Sequence, residues 1–149
     1  MSHENNVLLN QLSLVLANTY QLLLLNQHLH WNYTGEDFYA LHKLTDGHVG
    51  ELVEQIDLLA EHMRTKMYHV PVGLSVYEKL SNITIEDHGL QTRSEYLKSL
   101  ITGYEKTIDA MNDLCVIAEE EQDFATADLG GTGLRFYDKH LWMLRSSLS

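Results

Sequence analysis

His42 and Asp46 lie four residues apart, and so do Asp57 and Glu61. Imidazole nitrogens and carboxylate oxygens together form a donor set for divalent first-row metal ions. The i, i+4 spacing puts both members of a pair on one face of a helix. At about 100° per residue from His42, Asp46 falls near 40°, Asp57 near 60° and Glu61 near 100°. Phe38, Val49, Leu52, Ile56 and Met63 centre near about −60°, so the four candidate ligands form a row beside an apolar stripe. Any one of them alone would be a polar helix flank. Four in register point to a metal site.

One ion cannot use the whole row, because Asp46 and Asp57 are eleven residues apart, about 16 Å along a helix axis. Two copies of this helix packed antiparallel about a two-fold axis near Glu51 resolve the difficulty. His42 and Asp46 of one chain then face Asp57 and Glu61 of the other, and symmetry makes two such sites. The pattern therefore implies a centre shared between subunits. Gly50 lies on the row beside that axis, where a missing side chain permits close backbone approach. His30 ends the preceding helical segment and can swing over the start of this one as a second nitrogen ligand, with Trp31 next to it.

The elements that must hold these residues are helices, since a single proline, Pro71, interrupts the chain. The first is expected from about Asn5 to Trp31, before the turn cluster Asn32-Tyr33-Thr34-Gly35. Asp37 can cap a second helix from Phe38 to about Lys66. The chain turns around Pro71 and Gly73, and Val76 to Leu80 suggests a short helical piece. A third helix opens with Thr92 and Glu95 at capping-box spacing. Its apolar row is Leu97, Leu100, Ile101, Tyr104, Ile108, Met111, Cys115 and Ala118, which makes Cys115 a buried core thiol. A fourth runs from about Thr126 to Ser147, although Gly130, Gly131 and Gly133 each cost roughly 1 kcal/mol in a helix relative to Ala. The expected fold is all-α: one domain over residues 1–149, a four-helix bundle with a short extra helix in the crossover between helices two and three.

Composition narrows the function. The 149 residues are 44% hydrophobic, enough for a core, and the lone Cys115 excludes an intrachain disulfide, a thiolate zinc site or a CxxC pair. A reducing, cytoplasmic setting follows. The longest purely aliphatic run is Leu22 to Leu25, and the opening MSHENNVLLN lacks a basic region, so neither export nor membrane insertion is expected. The net charge is −11, and the first Lys or Arg is Lys43. Phosphate backbones are repelled by such a chain, and cations attracted.

His30-Trp31-Asn32, Gly35 with Phe38-Tyr39-Ala40-Leu41-His42, Asp46, and Asp57 with Glu61 resemble the Dps family of mini-ferritins. The similarity continues through Val70-Pro71-Val72-Gly73, Thr126-Ala127-Asp128-Leu129 and Leu141-Trp142-Met143-Leu144-Arg145, nearly the whole chain. It implies a ferritin-like bundle assembled into a hollow dodecamer. Ferroxidase centres at its two-fold interfaces would oxidise Fe(II), preferably with hydrogen peroxide and otherwise with oxygen, and deposit ferric mineral inside, protecting against oxidative damage. The ligands implied are His30, His42 and Asp46 from one subunit with Asp57 and Glu61 from its mate. Trp31 would act as an electron donor, and Asp123 and Asp128 as an acidic iron-entry pore. The donor set itself accommodates zinc as well as iron.

Two other classes fit less well. A larger ferritin or a rubrerythrin-like oxidase uses Glu-x-x-His pairs inside one bundle, and no Glu here has a His three residues later. A DNA-condensing Dps relies on a basic tail. The N-terminal tail here has no Lys or Arg, and the C-terminal end offers only Arg145, so direct DNA binding is not expected. His28, His48, His62, His69, His88 and His140 fall off the row and are expected at the surface or in hydrogen bonds.

Overall fold

Twenty-six residues without proline or glycine form α1 (Val7–Asn32) in the computed structural model, which describes residues 6–148. The Asn6 side chain caps it by accepting from the Leu9 amide at 3.0 Å. The helix start anticipated at Asn5 lies outside the described residues. Four more helices follow: α2 (Phe38–Thr65), α3 (Leu74–Leu80), α4 (Arg93–Glu120) and α5 (Phe124–Leu148). Helix α1 packs on α2, α3 and α4; α4 packs on α5, and α2 meets α5 over a short stretch. This is the expected four-helix bundle, with α3 in the crossover joining α2 to α4. Tyr77 of α3 holds that crossover in place, stacking on Tyr20 of α1 at 4.1 Å and donating its hydroxyl to the Pro71 carbonyl at 2.7 Å.

By length and composition α1 is apolar enough to cross a bilayer. Here it is the central core helix, with Leu12, Leu16, Leu22 and Leu29 buried against its neighbours. Burying a leucine is worth roughly 1.5–3 kcal/mol, so this face alone accounts for much of the packing energy. On α2 the buried stripe is Leu41, Leu52, Ile56, Leu59 and Met63. Val49 is only half-buried, and Phe38 is 41% exposed, its ring lying against His42 at 5.2 Å.

Several local expectations change. Asp37 does not cap α2 through its side chain: its backbone is left-handed (φ 60°), which turns the carboxylate away from the free amides. The carboxylate instead lies 3.5 Å from Arg93 at the start of α4. The box at Thr92 does form, Thr92 Oγ1 accepting from the Glu95 amide at 3.2 Å and Glu95 Oε2 from the Thr92 amide at 3.0 Å. Cys115 is half-buried rather than in the core, because it faces the α4–α5 seam with Sγ 3.9 Å from the Ala127 carbonyl. At that seam a Cβ on Gly130 would collide with the Cys115 sulfur, and one on Gly133 with the Met111 methyl. These two glycines let α5 approach α4 closely, which offsets their helical cost.

Candidate metal centre

His30 ends α1 and His42 lies just inside α2, and their rings stack with centroids 3.8 Å apart and planes within 12°. Each ring is fixed by the other's backbone. His30 Nδ1 donates to the His42 carbonyl and His42 Nδ1 to the His30 carbonyl, both at 2.9 Å. Thr45 adds a second hold: it is fully buried, donates to the Leu41 carbonyl at 2.8 Å, and accepts from His30 Nδ1 at 3.1 Å. Because carbonyl oxygens only accept, each Nδ1 carries a proton, and the neutral form of either ring has its lone pair on Nε2. Second-shell bonds of this kind set the tautomer and ring orientation of metal-binding histidines.

Stacked, nearly parallel rings cannot both direct an in-plane lone pair at one ion. The two Nε2 atoms are therefore presented side by side rather than to a single ion.

The remaining candidate ligands sit on the outer face of α2. Asp46 is exposed one turn beyond His42, while Asp57 and Glu61 are exposed near the far end. Fifteen residues separate His42 from Asp57, about 22 Å along the axis. Among the described residues of one chain, no three His, Cys, Asp or Glu side chains converge as a metal site. Between the two ends the same face carries Gly50 and an exposed Val53. Trp31 is 67% exposed beside His30 and lines a 650 Å³ cavity with His28, Asn32 and Asp87, so it is not packed between helices of its own chain.

The two pore candidates divide. Asp123 caps α5, accepting from the Thr126 amide at 3.1 Å and its hydroxyl at 2.6 Å, and pairs with Lys66 at 2.7 Å. Burial opposes its charge, but the bonds from Lys66 and Thr126 hold its carboxyl down at about 2. Its charge is thus committed within the fold. Asp128 is exposed on α5.

Sequence reasoning missed Thr45, whose spacing carries no metal-ligand signal, and it misplaced His48. That residue is neither at the surface nor hydrogen-bonded. It is buried, stacks on His140 at 3.7 Å, and neither ring nitrogen has a hydrogen-bond partner among the described residues. Burial, then the neighbouring His140, lower its pKa from 6.5 to about 4. The signal was available: His48 falls at about −120° on the same wheel, beside the buried Leu41 and Leu59 at about −100° and so at the edge of the buried face. His140 is hydrogen-bonded as expected, though deep in the bundle. His62 bonds the Thr126 hydroxyl at 2.8 Å.

Residues 9–149 match the ferritin-like domain, and the chain belongs to that family. Within it, the chain belongs with the Dps proteins. It is 28% identical over 120 residues to the DNA protection during starvation protein of Helicobacter pylori, covering 80% of this chain and 83% of that protein. An uncharacterized low temperature-induced protein of Nostoc sp. is 31% identical over 141 residues, 93% of this chain and 78% of its own length. The crystal structure of the Dps protein from Vibrio cholerae, described as a member of the ferritin-like diiron-carboxylate superfamily, superposes with a TM-score of 0.88. It is 28% identical, over 95% of this chain and 89% of that one.

Proposed function

We propose that this chain is the subunit of a cytoplasmic ferroxidase and iron store, a shell of twelve copies with centres shared across two-fold axes. The observation that carries the reading is the His30–His42 pair, locked through both Nδ1 atoms with two ligating nitrogens left free. Bonds to both Nδ1 atoms set the tautomer and ring orientation that metal-binding histidines require. The carboxylates that would complete the centre lie at the opposite end of the same helix, where an antiparallel partner places its own His30 and His42.

Iron is here substrate and cargo. His30, His42 and Asp46 of one copy bind Fe(II) together with Asp57 and Glu61 of the second, leaving coordination positions open for the oxidant. Two Fe(II) ions each give up one electron, and peroxide takes both as its O–O bond breaks, forming two waters with two protons. Pairing the oxidation of two ions consumes peroxide without releasing a one-electron product. Trp31, exposed beside His30, is placed to give up an electron if one escapes. The test is stopped-flow absorbance of Fe(II) oxidation by the metal-free protein, with peroxide expected to be faster than oxygen. Oxidation no faster than in buffer with either oxidant would refute the function.

Cation entry is assigned to Asp128, since Asp123 is committed to Lys66 and Thr126. Asp128→Asn is expected to slow iron uptake into the shell while leaving the initial oxidation of the first ions per centre unchanged. Equal uptake would remove Asp128 from the entry path. Direct DNA binding is not part of the proposed function, because the chain carries −11 and twelve copies multiply it. A gel-shift titration at about 150 mM salt with chelator present should show no complex; retarded DNA under those conditions would reverse this assignment.

A further inference from the structure

Tyr104 of α4 is completely buried, yet its hydroxyl begins a hydrogen-bonded chain that reaches the protein surface. Asn26 Nδ2 donates to the Tyr104 oxygen at 3.2 Å and to the Leu22 carbonyl at 2.8 Å, which fixes the orientation of the amide. The Tyr104 proton must therefore point at its other partner, His140 Nδ1, 2.7 Å away. His140, also buried, donates its Nε2 proton to Glu51 Oε2 at 2.6 Å. The Glu51 side chain is 52% exposed on α2. Every donor and acceptor in this line has one consistent assignment, running from phenol to imidazole to carboxylate to solvent.

Three other tyrosines end differently. Tyr137 is as buried, but its hydroxyl meets Thr19 Oγ1 at 2.6 Å, and Thr19 passes its own proton to the Val15 carbonyl. Tyr77 and Tyr33 donate to the carbonyls of Pro71 and Glu36. None of these three faces a base that could accept its proton. Tyr104 does.

We propose that Tyr104 is a reversible one-electron redox site, a radical sink whose proton is carried by His140 and Glu51. A buried phenol that loses an electron becomes a strong acid and must lose its proton in the same event or stay reduced. Burial pushes the Tyr104 phenol up, so a phenolate does not form beforehand. Burial also keeps His140 below its ordinary value, so it is a free base at neutral pH. The oxidant is a peroxide-derived one-electron species such as hydroxyl radical. It takes one electron from Tyr104 and becomes hydroxide, which acquires a solvent proton to give water. The phenolic O–H breaks, its proton moves to His140 Nδ1, and Glu51 stabilises the resulting imidazolium and returns a proton to solvent. One Fe(II) restores the neutral phenol by giving one electron, while a proton comes back along the same line. His48, stacked on His140, keeps water off the imidazole face. The line opens at Glu51, nine residues from His42 and six from Asp57, about 13 and 9 Å along α2. The chemistry does not depend on the two-fold centre, since any strong one-electron oxidant suffices.

The test uses metal-free assembled protein and a flash-generated ruthenium(III) tris-bipyridyl oxidant, with radicals trapped by rapid freezing for electron paramagnetic resonance. A neutral tyrosyl radical is expected in the wild type and in Tyr137→Phe, and its loss in Tyr104→Phe. His140→Gln keeps the side chain's bonding reach without its basicity. It should slow radical formation about a hundredfold, the low end of a general base's contribution, with the circular dichroism spectrum unchanged. In wild-type protein labelled with ¹⁵N-histidine, the radical should show coupling to one imidazole nitrogen, a readout independent of how any variant folds. An unaltered radical in Tyr104→Phe, an unaltered rate in His140→Gln, or absent ¹⁵N coupling would overturn the proposal.

Discussion

Shells built only from His42→Ala chains, and shells built only from Asp57→Ala chains, will both oxidise Fe(II) at close to the buffer rate, while mixed shells will recover activity. Every centre in either parent lacks a ligand. When the two variants are unfolded together and reassembled, a mixed two-fold pair holds two different centres. One combines both lesions. Its symmetry mate pairs an intact His42 with an intact Asp57, so up to half the centres in each mixed pair should work. A centre built within one chain could not recover, because every chain still lacks a ligand. The axial separation of about 22 Å between these two residues is what makes the prediction specific. Mixed shells verified by mass spectrometry that remain as inactive as their parents would eliminate the shared centre while leaving the fold untouched.

Replacing His48 by phenylalanine should stabilise the protein, and most strongly in acid. The imidazole is buried with neither nitrogen partnered among the described residues, and an unsatisfied buried polar group costs roughly 1–3 kcal/mol. Phenylalanine keeps a flat ring against His140 and removes both nitrogens. The pH dependence follows from the pKa falling from 6.5 unfolded to about 4 folded, burial being the main cause. Between those values the unfolded chain binds a proton that the folded chain refuses, so stability declines as pH drops from 6.5 and levels off below 4. The full penalty is of order 3 kcal/mol at about 1.4 kcal/mol per unit. Urea midpoints for wild type and His48→Phe should therefore diverge between pH 7 and pH 4. Parallel curves across that range would mean that His48 does not titrate as its burial requires.

Much of this architecture could be read before any coordinates, and the failures have physical reasons. Periodicity located α1, α2, α4 and α5 because each buries a long stripe, and the Thr92–Glu95 box is a purely local signal that the fold preserves. Asp37 looked equally local, but a left-handed backbone after Gly35 redirected its side chain to Arg93, a partner more than fifty residues away. The row from His42 to Glu61 was legible because a helix converts spacing into angle. Thr45 was not, since its role depends on His30 arriving from another helix. Cys115 shared the period of the α4 stripe, and only the glycines of α5 show that this part of it faces a seam. The resemblance implies a pore role for Asp123, but its cap on Thr126, three residues on, is local, and Lys66 reaches it only in three dimensions.

For the proposed shared centre, the distance between the two ends of α2 also bears on when iron chemistry would begin. A newly made chain carries paired imidazoles at one end of this helix and carboxylates at the other, and among its described residues no three such ligands come together. With a centre completed only by encounter, activity at high dilution should vary with the square of subunit concentration. Insoluble ferric product would then arise only where chains have already met, and so only where a wall is being built to enclose it.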